Sequence, residues 1–134
     1  MEMRLFGRRI RFDETVLDAD SRMIREQLRD YEAGTRRVFE LSLQTPDTFT
    51  GRVMDAMRDI PYGSVRSYGE LAEDLDTAPV AVGQAAGRNR IPIVVPCHRV
   101  VGASGLGGYS GAGGVRFKER LLRHEAVDVS EWAR

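Results

Sequence analysis

The sequence predicts a small α+β protein built around a helix-turn-helix. Two short helical patterns follow one another on either side of residue 76, each with its own start signal. Runs with strand character are few and short. An apolar run, Ile91-Pro92-Ile93-Val94-Val95, leads into a proline-bounded turn that carries the lone thiol, Cys97. With 134 residues the chain reads as one domain, long enough for a proper core.

From Met1 to about Asp20, Leu5-Phe6 and Ile10-Arg11-Phe12 are spaced to pair as a hairpin across Gly7, too short to be a domain of its own. Asp20-Ser21 caps a helix with Met23, Ile24, Leu28 and Tyr31 at helical spacing, ending near Gly34. Val38 to Leu43 alternates apolar and polar, which predicts a strand. A second helix starts near Thr45-Pro46-Asp47, carries Phe49, Val53, Met54 and Met57, and stops in the turn Ile60-Pro61-Tyr62-Gly63.

Ser67 followed by Glu70 fits a capping box for a helix from Tyr68 to Leu75. Asp76-Thr77, with Pro79 in the first turn, starts a helix of small residues from Val80 to Ala86. Such a pair places its second helix for a DNA groove. A slim helix also suits close packing inside the core, so both uses stay open. Seven glycines between Gly102 and Gly114 then make a backbone-dominated loop, and Val115 to His124 is an amphipathic helix with Leu121 and Leu122 inward.

Composition sets limits. One cysteine excludes an internal disulfide and any zinc site built from a cysteine cluster; His98 and His124 leave little for other metals. No apolar run reaches the roughly 18 residues of a membrane span, and the start, Met1-Glu2-Met3-Arg4, has no signal-peptide pattern. Net charge is zero, yet Thr77 to Lys118 holds no acid while carrying Arg88, Arg90, Arg99, Arg116 and Lys118. Either this is a basic face for phosphate around Cys97, or a Gly- and Ala-rich region that lacks acids.

Cys97 precedes His98 in Pro96-Cys97-His98-Arg99. A free cysteine is often a small buried hydrophobe. A thiol beside an imidazole is also how a thiolate nucleophile is made, and the proline-bounded setting favours that use.

The order and spacing of Ile60–Tyr68, Ala81–Gly83, Arg88-Asn89, Pro96–Val101, Gly108–Gly111 and Leu121–Glu125 resemble the catalytic domain of O6-alkylguanine-DNA alkyltransferases, over about Ile24 to Glu125. The resemblance implies a winged-helix-like catalytic part at 45–134 and a reduced N-terminal segment at 1–44. It implies single-turnover transfer of an alkyl group from O6 of guanine in double-stranded DNA to Cys97. His98 then acts as base through a water, Glu125 orients His98, Asn89 braces the preceding turn, and Tyr68 rotates the target phosphate. Val100, Tyr109 and Ser110 form the guanine pocket; Ser67, Tyr68, Val80, Arg88, Arg90 and Arg99 face DNA. It implies no cofactor, no metal, no membrane partner, a monomer, and a cytoplasmic location on DNA, or a nuclear one in a eukaryote.

The chain departs from the family pattern in three places. Val80 stands where the family has an arginine that fills the gap left by a flipped base. The loop after Tyr109 is about two residues longer, and the N-terminal part is shorter. Rival readings are a lesion-sensing binder without transfer, a winged-helix transcription regulator with an incidental or redox-sensing Cys97, and a Cys-His hydrolase.

Overall fold

The structure is a computed structural model and describes residues 1–103, 105–106 and 114–130. Strands β1 (Glu2–Leu5) and β2 (Arg8–Arg11) form the expected antiparallel hairpin, with Leu5 opposite Arg8. Its turn residues Phe6 and Gly7 have φ of 51° and 78°. Two positive φ values match the twist of the flanking strands. Alternation sends Met3, Leu5 and Ile10 into the core.

Helix α1 (Ser21–Glu32) starts where Asp20 accepts a hydrogen bond from the Met23 N–H at 2.8 Å. It buries Ile24, Leu28 and Tyr31, one stripe at four- and three-residue steps, and Gly34 follows it at φ 81°. The strand expected over Val38 to Leu43 does not form: only Leu43 makes a bridge, to Leu17. Backbone pairing stops at the two bonds that flank this bridge, Asp18 to Ser42 and Gln44 to Val16, and the Gln27 amide takes over the backbone of Glu40, donating to its carbonyl and accepting from its N–H.

Helix α2 (Phe49–Arg58) begins slightly later than expected, with Thr48 as cap, accepting from the Gly51 N–H. A Cβ on Gly51 would lie 1.9 Å from the Pro46 carbonyl oxygen, so the chain entering α2 crosses at a distance only glycine allows. Strand β3 (Arg66–Ser67) leads into α3 (Tyr68–Asp74), and the Ser67–Glu70 capping box is made in both directions. Helix α4 (Pro79–Ala86) packs on α3 and α2. Its cap is Ala78 with no side-chain bond, not the expected Asp76-Thr77; Asp76 instead takes φ of 54° in the turn. Buried Val82, Ala85 and Ala86 serve core packing, while Val80 and Gln84 point outward.

Strand β4 (Val100–Val101) runs parallel to β3, and α5 (Gly114–His124) closes the fold. Leu5, Ile10, Ile24 and Leu28 share one apolar cluster with Val53, Leu71, Val95 and Leu121. Each buried side chain of this size contributes about 1.5–3 kcal/mol, so the first 32 residues are built into the core rather than tethered to it. No helix among the described residues is long and apolar enough to cross a membrane.

Candidate active site

Cys97, His98 and Arg99 form a single 3-10 turn after Pro96, and all three are buried. The turn before them, Ile91 to Val95, is closed from one side chain. Asn89 Nδ2 donates to the Val95 carbonyl (2.9 Å), and Asn89 Oδ1 accepts from the Ile91 N–H (3.0 Å). Within it Ile93 takes φ of 75°. A β-branched residue there costs on the order of 1–3 kcal/mol and needs such bracing.

Glu125, just beyond α5, lies under this turn with 1% exposure. Its Oε2 is 2.6 Å from His98 Nε2. A carboxylate only accepts, so Nε2 carries the ring proton and Nδ1 keeps a lone pair. That Nδ1 is buried and has no hydrogen-bond partner among the described residues. Burial holds His98 below its ordinary pKa, against the opposite pull of Glu125; the ring is a neutral base. Burial alone would raise the Glu125 pKa. The hydrogen bonds from His98 and Arg99, with the Arg99 charge, outweigh it and keep the group ionised well below the usual carboxylate range.

Arg99 was expected to face DNA and does not. Its Nε donates to Glu125 Oε1 (2.8 Å), Nη2 to Oε2 (3.1 Å) and Nη1 to the Ile60 carbonyl (2.7 Å). The buried carboxylate needs a fixed countercharge, and the planar guanidinium supplies it with two parallel bonds.

Lys118 is the second reversal. One of the two readings of the acid-free stretch put it on a basic face for phosphate, yet it is fully buried. Its Nζ donates to the Val100 carbonyl (2.6 Å) and the Tyr68 hydroxyl (3.4 Å), and lies 5.5 Å from the centre of the Tyr68 ring. Burial lowers its pKa to about 8, while Cys97 pulls the other way. Tyr68, half-buried, is pushed up by burial and by Cys97. A cation, a phenol and a thiol therefore share one pocket. Val100 is buried and gives its carbonyl to Lys118; Tyr109 and Ser110 lie outside the described residues.

The remaining expected DNA contacts are partly or fully exposed. Ser67 spends its hydroxyl on the α3 cap. Val80, at the second residue of α4, is 69% exposed. Arg88 and Arg90 are exposed beyond the end of α4, with Arg90 3.6 Å from Asp13 and Arg88 3.5 Å from Thr50. Two site partners were not anticipated: Lys118 and Tyr31, whose hydroxyl donates to Glu125 Oε2 (2.6 Å). A lysine in an acid-free stretch was the only available signal for the first. The second had none beyond a buried tyrosine's need for a partner.

A family model described as 6-O-methylguanine DNA methyltransferase, DNA binding domain, matches residues 48–127. A methylated-DNA–protein-cysteine methyltransferase of Archaeoglobus fulgidus is 44% identical over 106 residues, 75% of this chain and 72% of that protein. One of Mycolicibacterium paratuberculosis is 50% identical over 104 residues, but the chain spans only 62% of its length. A crystal structure of Mycobacterium tuberculosis OGT in complex with DNA superposes with a TM-score of 0.72 at 43% identity, covering 82% of this chain and 70% of that one. The matched residues contain the helix pair α3–α4, the Cys97 turn and Glu125, and the chain belongs to the methylated-DNA–protein-cysteine methyltransferase family.

Proposed function

We propose that this protein repairs alkylated DNA directly, moving an alkyl group from O6 of guanine to Cys97 once per molecule. The observation that carries this is the buried His98: Nε2 tied to Glu125 at 2.6 Å, Nδ1 left with a lone pair, and the only thiol of the chain on the preceding residue.

The chemistry balances with what the site holds. The thiol proton passes to His98 Nδ1, directly or across one water. The Cys97 sulfur forms a bond to the alkyl carbon as the carbon–O6 bond breaks, its electron pair leaving on guanine. The departing base needs a proton, and the Tyr68 hydroxyl, whose oxygen accepts from Lys118, is the donor in this reading. A thioether has no leaving path back to thiol, so each molecule acts once. The displacement needs no cofactor, because the thiolate brings the electron pair and guanine takes it away.

The alkylated oxygen lies inside a duplex, so the nucleotide must be flipped out. Helix α4 offers its outward face, led by Val80, to the groove, and Arg88 and Arg90 stand ready for phosphates. Val80 then acts as an apolar wedge in the base stack. Val100, Tyr109 and Ser110 receive the base. The partner is double-stranded DNA carrying O6-alkylguanine, met by a monomer.

The test is to incubate the protein with duplex DNA containing O6-methylguanine and weigh it intact. Mass should rise by about 14 Da, on the peptide holding Cys97, the difference between thiol and methyl thioether. Cys97→Ala should bind the same DNA without gaining mass. A wild type that binds but stays unmodified under excess lesion would leave only a lesion-sensing role.

A further inference from the structure

Tyr31 lies on α1, 94 residues from Glu125, and its side chain is completely buried. Its hydroxyl donates to Glu125 Oε2 at 2.6 Å, the same oxygen that His98 Nε2 reaches at 2.6 Å. Its carbonyl accepts from His124 Nε2, also at 2.6 Å. One residue of the N-terminal segment thus grips two successive residues at the end of α5. The Tyr31 ring is held edge-on by Phe6 and tilted against Phe39, so the phenol has little room to turn.

We propose that Tyr31 is a positioning residue of the transfer reaction, fixing Glu125 Oε2 and limiting how strongly that carboxylate pulls on the His98 ring. This rests on the reading of His98 as the base. A hydrogen bond to an ionised acceptor is short and strong, and each donor draws charge from the oxygen it meets. Oε2 has three donors: Tyr31, His98 and Arg99. Without the phenol, more of the carboxylate's charge falls on His98, whose proton affinity rises. The ring is then protonated, and lost as a base, at higher pH. Burial and the Glu125 charge keep the Tyr31 phenol protonated throughout, so it acts as a fixed donor. The charged and titratable groups facing Tyr31, Glu125 and His98 are Arg99, Lys118, Tyr62 and His124.

The experiment follows iodoacetamide alkylation of Cys97 against pH in the full chain, without DNA, so that it stands apart from whether methyl transfer occurs. Tyr31→Phe removes one oxygen. The acid limb of the profile should move up by about half a pH unit, the size expected from losing part of one charge-assisted bond. Single-turnover repair at pH 7 should slow about threefold or more, with DNA affinity unchanged. Phe39→Leu loosens the packing around the same ring while keeping the hydroxyl; it should lower the melting temperature and leave the limb in place. Should Tyr31→Phe fail to fold, 3-fluorotyrosine at position 31 keeps the shape and strengthens the donor, and the limb should move down. Wild-type midpoints in whichever of these variants fold, or a shift in Phe39→Leu equal to that in Tyr31→Phe, would overturn the proposal and leave Tyr31 as packing.

Discussion

Lys118 Nζ lies 2.6 Å from the carbonyl oxygen of Val100, so an ammonium group sits in the core beside the turn that carries Cys97. A buried charge with a single close carbonyl partner is expensive unless an anion completes the pocket. Cys97, whose charge when ionised acts on Lys118, is the group that completes it once its proton has left.

Lys118→Met keeps the stem and removes the charge. The midpoint of Cys97 alkylation by iodoacetamide should rise toward the free-thiol value of about 8.5, and single-turnover transfer should fall on the order of tenfold or more. In the wild type the transfer rate should decline above pH about 8, where Lys118 loses its proton; the variant should lack that limb. Stability has its own sign. The lysine binds its proton less tightly in the fold (about 8) than at its ordinary 10.5. Between those values the unfolded state holds more protons, so the lysine's contribution to stability rises with pH. Urea melts of both proteins at pH 7.5 and 9.5 check this.

Buried and exposed arginines should behave oppositely. Arg99→Ala leaves Glu125 buried with its main countercharge gone, and should cost about 3–5 kcal/mol of stability. Its effect on the salt dependence of DNA binding should be nil. Arg88→Ala and Arg90→Ala should barely change stability but should each flatten the salt slope by about one unit if they neutralise a phosphate. Denaturant melts and binding titrations at several salt concentrations separate the two groups. Salt-independent binding by the wild type would count against α4 as the recognition helix.

Val80, outward on the first turn of α4, cannot hydrogen-bond an orphaned base. Repair should therefore be slower in a matched duplex than at a mismatched lesion or in a single strand, because opening the stack costs a few kcal/mol. Val80→Arg should narrow that gap. Single-turnover repair on the three substrates decides it; a wild type fastest on matched duplex, slowed by Val80→Arg, would pass the flipping role to Arg88.

Gly51→Ala should destabilise the protein by about 2–4 kcal/mol, since the new methyl meets a backbone carbonyl that cannot rotate away. Thermal melts check it. A variant that melts like wild type would show that the Pro46 segment moves freely.

The sequence was most readable where the chemistry is local. The caps at Asp20 and Ser67, the Asn89 brace and the Cys97-His98 pair all act within six residues of themselves, and the order of short motifs brought Glu125 along. It misled where polarity stood for exposure. Arg99 and Lys118 look like solvent-facing cations because long charged side chains are rarely fully buried. Their partners, Glu125 and Val100, are 26 and 18 residues away. Val38 to Leu43 failed for a related reason. Alternation describes a strand's faces, but a strand also needs an edge to pair with, and pairing is a property of the whole fold.

The two-residue parallel ladder has a mechanical consequence. Arg66 pairs with Val100 and Ser67 with Val101. Ser67 begins the helix pair; Val100 is three residues past Cys97. The helix pair and the loop that holds the sulfur are therefore joined to each other across a single pair of strands. If α4 is the helix that enters the groove, as proposed, its depth there would fix how far an everted base must travel to reach the thiol. On that reading the protein would gauge its substrate by depth: a duplex too rigid or too narrow to admit the helix would keep every carbon out of range of the sulfur.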